Sequence, residues 1–185
     1  MESKTVYVEH EASYIETCPI CGKKALEVRE AVHLQPYLGR TLIVSRLCKN
    51  CGYKRAEMVP LNPKKRKIVV FKVSSEEDLY ARIVRTGTAT IYIPELEAVI
   101  DPGVDAPFFV TNVEGLLGRI EDAVERIKVL EGGGETVSRV EELKRLIERF
   151  KRGEGELTIV IDDPIGLSDV IASAGKVIRE HVGGS

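Results

Sequence analysis

The sequence predicts a mainly β protein with α-helical content: a small β unit closed by four cysteines, then a larger β unit interrupted by a helical hairpin. Three observations carry this. Cys18, Cys21, Cys48 and Cys51 form two C-x-x-C pairs 26 residues apart, and they are the chain's only cysteines. Apolar residues alternate with period two on both sides of residue 63. Between about 112 and 152 the period changes to 3.6 residues, broken once by Gly132-Gly133-Gly134.

In the first unit, residues 1–17 lead into the first cysteine pair. Leu26, Val28, Val32 and Leu34 alternate with Glu27, Arg29 and His33, which predicts a strand with one wet face from Ala25 to Leu34. Gln35-Pro36-Tyr37-Leu38-Gly39 is a turn, and the β-branched run Thr41–Leu47 returns to the second pair. Pro60, Asn62, Pro63 and the basic run Lys64-Lys65-Arg66-Lys67 mark a boundary, placing a ribbon at 1–62 and the larger unit at 63–185. The basic run reads as a solvated linker, with phosphate binding as the alternative.

In the second unit, Ile68–Val73 is an apolar strand. Ser74 and Ser75 ahead of Glu77 and Asp78 predict a capped short helix running to about Gly87. Thr88–Ile93 and Leu96–Ile100 are further strands. Thr111 with Glu114 has capping-box spacing, and Val113, Leu116, Leu117, Ile120, Val124, Ile127 and Leu130 form one helical stripe. Ser138 with Glu141 opens a second helix, its inner side formed by Val137, Val140, Leu143, Ile147 and Phe150. Leu157–Ile161 is a strand and Asp162-Asp163-Pro164-Ile165-Gly166 a turn. The tail from Ser168 suits either a strand or a helix.

Length and charge bound the function. At 185 residues with 27 basic and 29 acidic side chains, net charge -2, the chain is no polyelectrolyte binder of nucleic acid or membrane surfaces. No apolar run approaches the ~20 residues of a membrane span. The charged start Met1-Glu2-Ser3-Lys4 resembles no secretory signal, so a cytoplasmic location is expected. Three Asn, one Gln, two Met and no Trp amid abundant charge suit a hot environment.

The thiols carry the clearest chemistry. A C-x-x-C turn presents two sulfurs on one side of a tight hairpin, and Gly22 and Gly52 follow the two turns. Four thiolates close a tetrahedron about one Zn²⁺ with no open position, which makes the metal structural. A rubredoxin-like iron site and a redox dithiol are the alternatives. The redox reading lacks the βαβ context such motifs use.

Beyond the thiols, His10, His33 and His181 lie at no ligand spacing from one another. Neither G-x-x-x-x-G-K-[ST], H-E-x-x-H nor G-x-S-x-G occurs, so no enzyme activity is expected. Tyr37 and Tyr53 either present a contact surface or pack on the ribbon. Glu114 either caps its helix or meets a partner. Asp162 and Asp163 either form an Asx-type turn or bind a cation or a basic side chain. Phe108-Phe109 is either core or a docking point.

Taken in series, Cys18-Pro19-Ile20-Cys21-Gly22, Pro36-Tyr37-Leu38-Gly39 and Cys48-Lys49-Asn50-Cys51-Gly52-Tyr53-Lys54 resemble the ZPR-type zinc-finger family. So do Ser75–Leu79, Ala89–Leu96, Thr111–Leu117 and Asp162–Ser168, and the resemblance runs over roughly 13–173. Leu167, where that family usually has asparagine, and the basic Arg46 depart from the pattern. The resemblance implies a zinc ribbon followed by a double-stranded β-helix carrying a helical hairpin, in the single-module form found in archaea. It also implies a protein-binding role toward translation elongation factor one alpha, a GTPase, as folding chaperone or cofactor. A nucleic-acid-binding ribbon in translation or transcription is the alternative, motivated by nine basic against seven acidic residues in 1–62.

Overall fold

Alternation of buried and half-buried residues along Leu157–Asp163 shows how the larger unit is built. Leu157, Ile159, Ile161 and Asp163 point inward, and the neighbouring strand Lys67–Val73 does the same with Lys67, Val69, Phe71 and Val73. The structure is a computed structural model that describes residues 8–103, 106–173 and 175–182. It divides into two units, Met1–Pro63 and Lys64–Ser185.

The first unit is one antiparallel sheet in the order β1 (Val8–Glu16), β2 (Leu26–Gln35), β3 (Gly39–Cys48), β4 (Lys54–Pro60). Strands β2 and β3 form the expected hairpin, in register from Leu26↔Cys48 to Gln35↔Gly39. The outer strands β1 and β4 were not expected. They are edge strands rich in Glu, Arg and Lys, so the apolar rhythm that reveals β2 is absent from them. The core is small: Cys18, Leu26, Val28, Val44 and Cys48, with Tyr53 packed against it.

The second unit holds a five-stranded antiparallel sheet ordered β12 (Val177–His181), β5 (Lys67–Val73), β10 (Leu157–Asp163), β7 (Thr90–Ile93), β8 (Ala98–Ile100). A three-stranded sheet has the order β11 (Asp169–Ile171), β6 (Arg82–Arg85), β9 (Phe109–Asn112). Both sheets contribute to one core, as do α1 (Val113–Glu131) and α2 (Gly134–Lys151). The ambiguous tail thus supplies two strands, β11 and β12. Buried Lys67 anchors them: it pairs with Asp169 at 3.0 Å, and Asp169 also holds Arg179 at 2.8 Å.

Several expectations change on the way to this fold. The helix expected after Ser75 is only a 3₁₀ turn, Glu76–Tyr80, and its capping box is Ser75 with Asp78. Ile83 and Val84 belong instead to β6, where both are fully buried. The cap of α1 is Asn112, whose side chain accepts from the Gly115 amide at 2.8 Å, rather than Thr111 with Glu114. Helix α2 starts four residues before Ser138, behind Gly133, because the glycine break ends at a single left-handed residue, Gly132. The α1 stripe is buried only as far as Val124; Ile127 is half exposed and Leu130 is 83% exposed. Lys128–Glu141, Lys144–Glu125 and Lys151–Glu121 ion pairs lace the two helices together. The basic run is no free linker either: Lys64 donates its amide to Ile165, Arg66 pairs with Asp162, and Lys67 is buried.

Candidate metal centre

Two knuckles of matching backbone build the sulfur site. In the first, the Gly22 amide donates to the Cys18 carbonyl at 2.9 Å and the Cys18 amide to Lys23 at 2.9 Å. In the second, Gly52 donates to Cys48 at 3.0 Å and Cys48 to Tyr53 at 2.8 Å. Closing each loop takes a left-handed residue, and glycine occupies it at φ 70° (Gly22) and 75° (Gly52). The amide of Lys49 donates to the Ala25 carbonyl at 2.9 Å, which ties the second knuckle to the strand leaving the first.

This geometry brings the four sulfurs within 4.8 Å of one another, with Cys18–Cys51 and Cys21–Cys48 each at 3.7 Å. A disulfide would need ~2.05 Å. Four thiolates at ~2.3 Å from a central zinc lie ~3.8 Å apart, so the cluster fits a single structural zinc. Cys18 and Cys48 are buried, Cys21 is half-buried and Cys51 exposed. Zinc bound there would hold the two knuckles together and fill the centre of a core that is otherwise three aliphatic side chains.

The electrostatics favour a cation. The backbone beside Lys23, together with the neighbouring thiols, draws the Cys21 thiol down to about 6 against the cost of burial. Backbone contacts at Cys51 and Asn50 lower Cys48 likewise. At Cys51 the amide of Tyr53 favours the thiolate, but burial and the three other sulfurs outweigh it and push the thiol up to about 12. The first ionisations are thus easy and the last is opposed by charge already present, a conflict that a divalent ion removes.

The remaining candidates are dispersed. Tyr53 packs beside the sulfurs. Tyr37 sits in the β2–β3 turn at the far end of the hairpin, about 30 Å of strand away, 42% exposed and held at φ 71°. Glu114 is exposed in the first turn of α1. Asp162 is engaged in a bidentate pair with Arg66. Asp163 has no exposed surface: it accepts from the Thr88 hydroxyl and from the amides of Ile165, Leu167 and Ser168. That leaves it no face for a partner. Burial opposes its ionisation, and the Ser168 amide and hydroxyl with the two other amides overcome it.

The ZPR1 jelly-roll domain model matches residues 77–181. The chain belongs to the ZPR1 family. It is 35% identical to an uncharacterised ZPR1-like protein of Methanocaldococcus jannaschii over 166 residues, covering 89% of this chain and 82% of the relative. It is 36% identical to one of Pyrococcus horikoshii over 172 residues, covering 89% and 77%. A zinc finger chaperone of Schizosaccharomyces pombe is 30% identical over 159 residues, 82% of this chain but 34% of that longer protein. The jelly-roll match agrees with the two antiparallel sheets and with the fold class implied by the resemblance.

Sequence reasoning missed one cluster in the ZPR1 jelly-roll. Arg85 and Arg119 lie over the Phe109 ring, with Cζ at 5.6 and 4.6 Å from its centroid. The three residues come from β6, α1 and β9 and share no spacing in the chain. Phe109 itself is partly buried against the core. No described helix is long and apolar enough to cross a membrane.

Proposed function

We propose that the protein is a non-enzymatic, zinc-stabilised chaperone or cofactor whose client is translation elongation factor one alpha. The observation that carries this reading is the inward closure of all four sulfurs, Cys18, Cys21, Cys48 and Cys51. A metal held by that set has no vacant position for a substrate, so its work is to hold a ribbon that presents a surface. A relative named a zinc finger chaperone supports a protein client, and the family resemblance supports the elongation factor. Binding that differs between a folding intermediate, or one nucleotide state, and the mature GTPase would drive capture and release.

The nucleic-acid reading finds less support. Of the cations beside the second knuckle, Lys49 pairs with Glu27, Arg46 and Arg55 both pair with Glu57, and Arg29 pairs with Glu27. Each of these cations is held by a carboxylate it shares with another, which ties their guanidinium and ammonium groups into the sheet surface, although two carboxylates against four cations leave a positive balance. The deciding experiment is capture of purified elongation factor one alpha by the zinc-loaded chain in the nucleotide-free, GDP and GTP states. Preference for one state is expected. Equal capture in all three, or none, overturns the reading.

A further inference from the structure

The edge strand β8, the approach to β9 and the two helices enclose a cavity of about 660 Å³ in the second unit. Its wall is aliphatic, formed by Leu96, Ile100, Ile120, Val124, Leu143 and Ile147. One end is cationic. Arg85 lines it while only 2% exposed, and donates from Nε to the Ala89 carbonyl at 3.1 Å and from Nη2 to the Asp101 carbonyl at 2.9 Å. Its Nη1 has no hydrogen-bond partner among the described residues and is not sealed away. Arg119, over the same Phe109 ring, makes no ion pair among the described residues. Of the acids that line the cavity, Glu97 is engaged by Arg139 at 3.1 Å and the Asp101 side chain is exposed.

Among the described residues Arg85 makes no direct ion pair: burial opposes its charge, Asp101 and Asp163 favour it only through space, and a second guanidinium over the same ring adds repulsion. The arrangement is relieved by an anion that takes the free N–H groups of both. The body of that ligand must be apolar to suit the wall. Its backbone has a place too: β8 ends its sheet, and Ala98–Ile100 pair with β7 while making no other backbone hydrogen bond among the described residues.

We propose that this groove receives a short extended segment of the protein client, added to β8 as an extra strand. A carboxylate side chain of the segment meets Arg85 and Arg119, and the side chain two residues along enters the Ile120–Val124–Ile147 wall. Strand addition supplies main-chain hydrogen bonds, and alternate side chains supply the selectivity. Three residues of edge span about 10 Å, which limits the recognised segment to some three to five residues. The inference rests on the protein-client reading above and specifies the chemistry of what is recognised.

The test titrates the ¹⁵N-labelled, zinc-loaded full chain with acetyl-Thr-Glu-Thr-Val-Thr-amide, with its Glu-to-Gln counterpart, and with decanoate. The acidic peptide is expected to give saturable shifts at the Val99 and Ile100 amides and at Arg119 Nε. Binding should weaken at least fivefold for the Gln peptide and for the exposed variant Arg119→Gln, which leaves the core untouched. Equal binding of the two peptides, no saturable binding of either, or binding of decanoate alone overturns the proposal. If elongation-factor capture persists while the peptide fails, only this inference falls. If the peptide binds at β8 while that capture fails, only the identity of the client falls.

Discussion

Lys176 grips the carboxylate of Asp78 at 2.7 and 2.8 Å across 98 positions of sequence, joining the C-terminal segment to the 3₁₀ turn that follows β5. Asp78 is 4% exposed and also accepts from the amides of Ser74 and Ser75 and the Ser75 hydroxyl. Burial opposes its charge, yet Lys176 and these donors prevail and hold the carboxyl at about 2. The folded value lies below the ~3.9 of a free aspartate, so the stabilisation is complete above about pH 4 and disappears as pH falls toward 2. Lys176→Met should therefore lower stability by roughly 2 kcal/mol at pH 7 and flatten the loss between pH 4 and 2. Urea midpoints across that range, compared with the parent protein, read this directly.

Removing metal should unfold the ribbon and spare the jelly-roll. The ribbon core contains three aliphatic residues besides Cys18 and Cys48, whereas structural zinc contributes ~10–16 kcal/mol. Chelation is expected to make residues of β2 and β3 exchange amide protons freely while those of β5 and β10 stay protected. Elemental analysis should give one zinc per chain. Acidification should release it, because protons compete for the thiolates.

Gly166 occupies φ 65°, and a Cβ there would lie 2.0 Å from the Lys65 carbonyl oxygen. Gly166→Ala must move backbone as well as bear left-handed strain, and a loss of about 3 kcal/mol is expected. Gly132, at φ 50° with open space around it, tests the strain alone, so Gly132→Ala should cost about 1 kcal/mol. Thermal unfolding of the two variants separates clash from strain; similar losses would refute the steric account.

Adjacent aspartates make a second matched pair. Asp163→Asn turns an amide NH₂ or a weaker acceptor toward donors that now meet a carboxylate, and should cost about 2–3 kcal/mol. Asp162→Asn loses only a partly exposed pair with Arg66 and should cost under about 1 kcal/mol. Equal losses in denaturant unfolding would contradict the burial assigned to Asp163.

What could be read along the chain was whatever is local. Cys18, Cys21, Cys48 and Cys51 declare their metal set because a C-x-x-C turn brings two sulfurs together by itself. Leu26 and Val28 betray β2 through period two, the β-branched run Thr41–Leu47 betrays β3, and Leu116, Leu117 and Ile120 betray α1 through its helical period. Strands β1, β4 and β9 escaped, since an edge strand buries little and carries no rhythm. The assignment of Thr111 as cap failed by one position because two neighbouring polar residues could each reach an orphan amide, and only backbone geometry chose Asn112.

Alone, the order of amino acids determined the two C-x-x-C pairs, the hairpin of helices and the two-part β character, all properties of residues within a few positions of one another. Tertiary structure decided the rest: that Asp163 is interior, that Lys67 and Asp169 bind the tail into the jelly-roll, and that Arg85, Phe109 and Arg119 converge on one cavity. The physical reason is that burial and charge pairing are set by residues tens of positions apart. Their meeting depends on which strands become neighbours, and no local period encodes that choice.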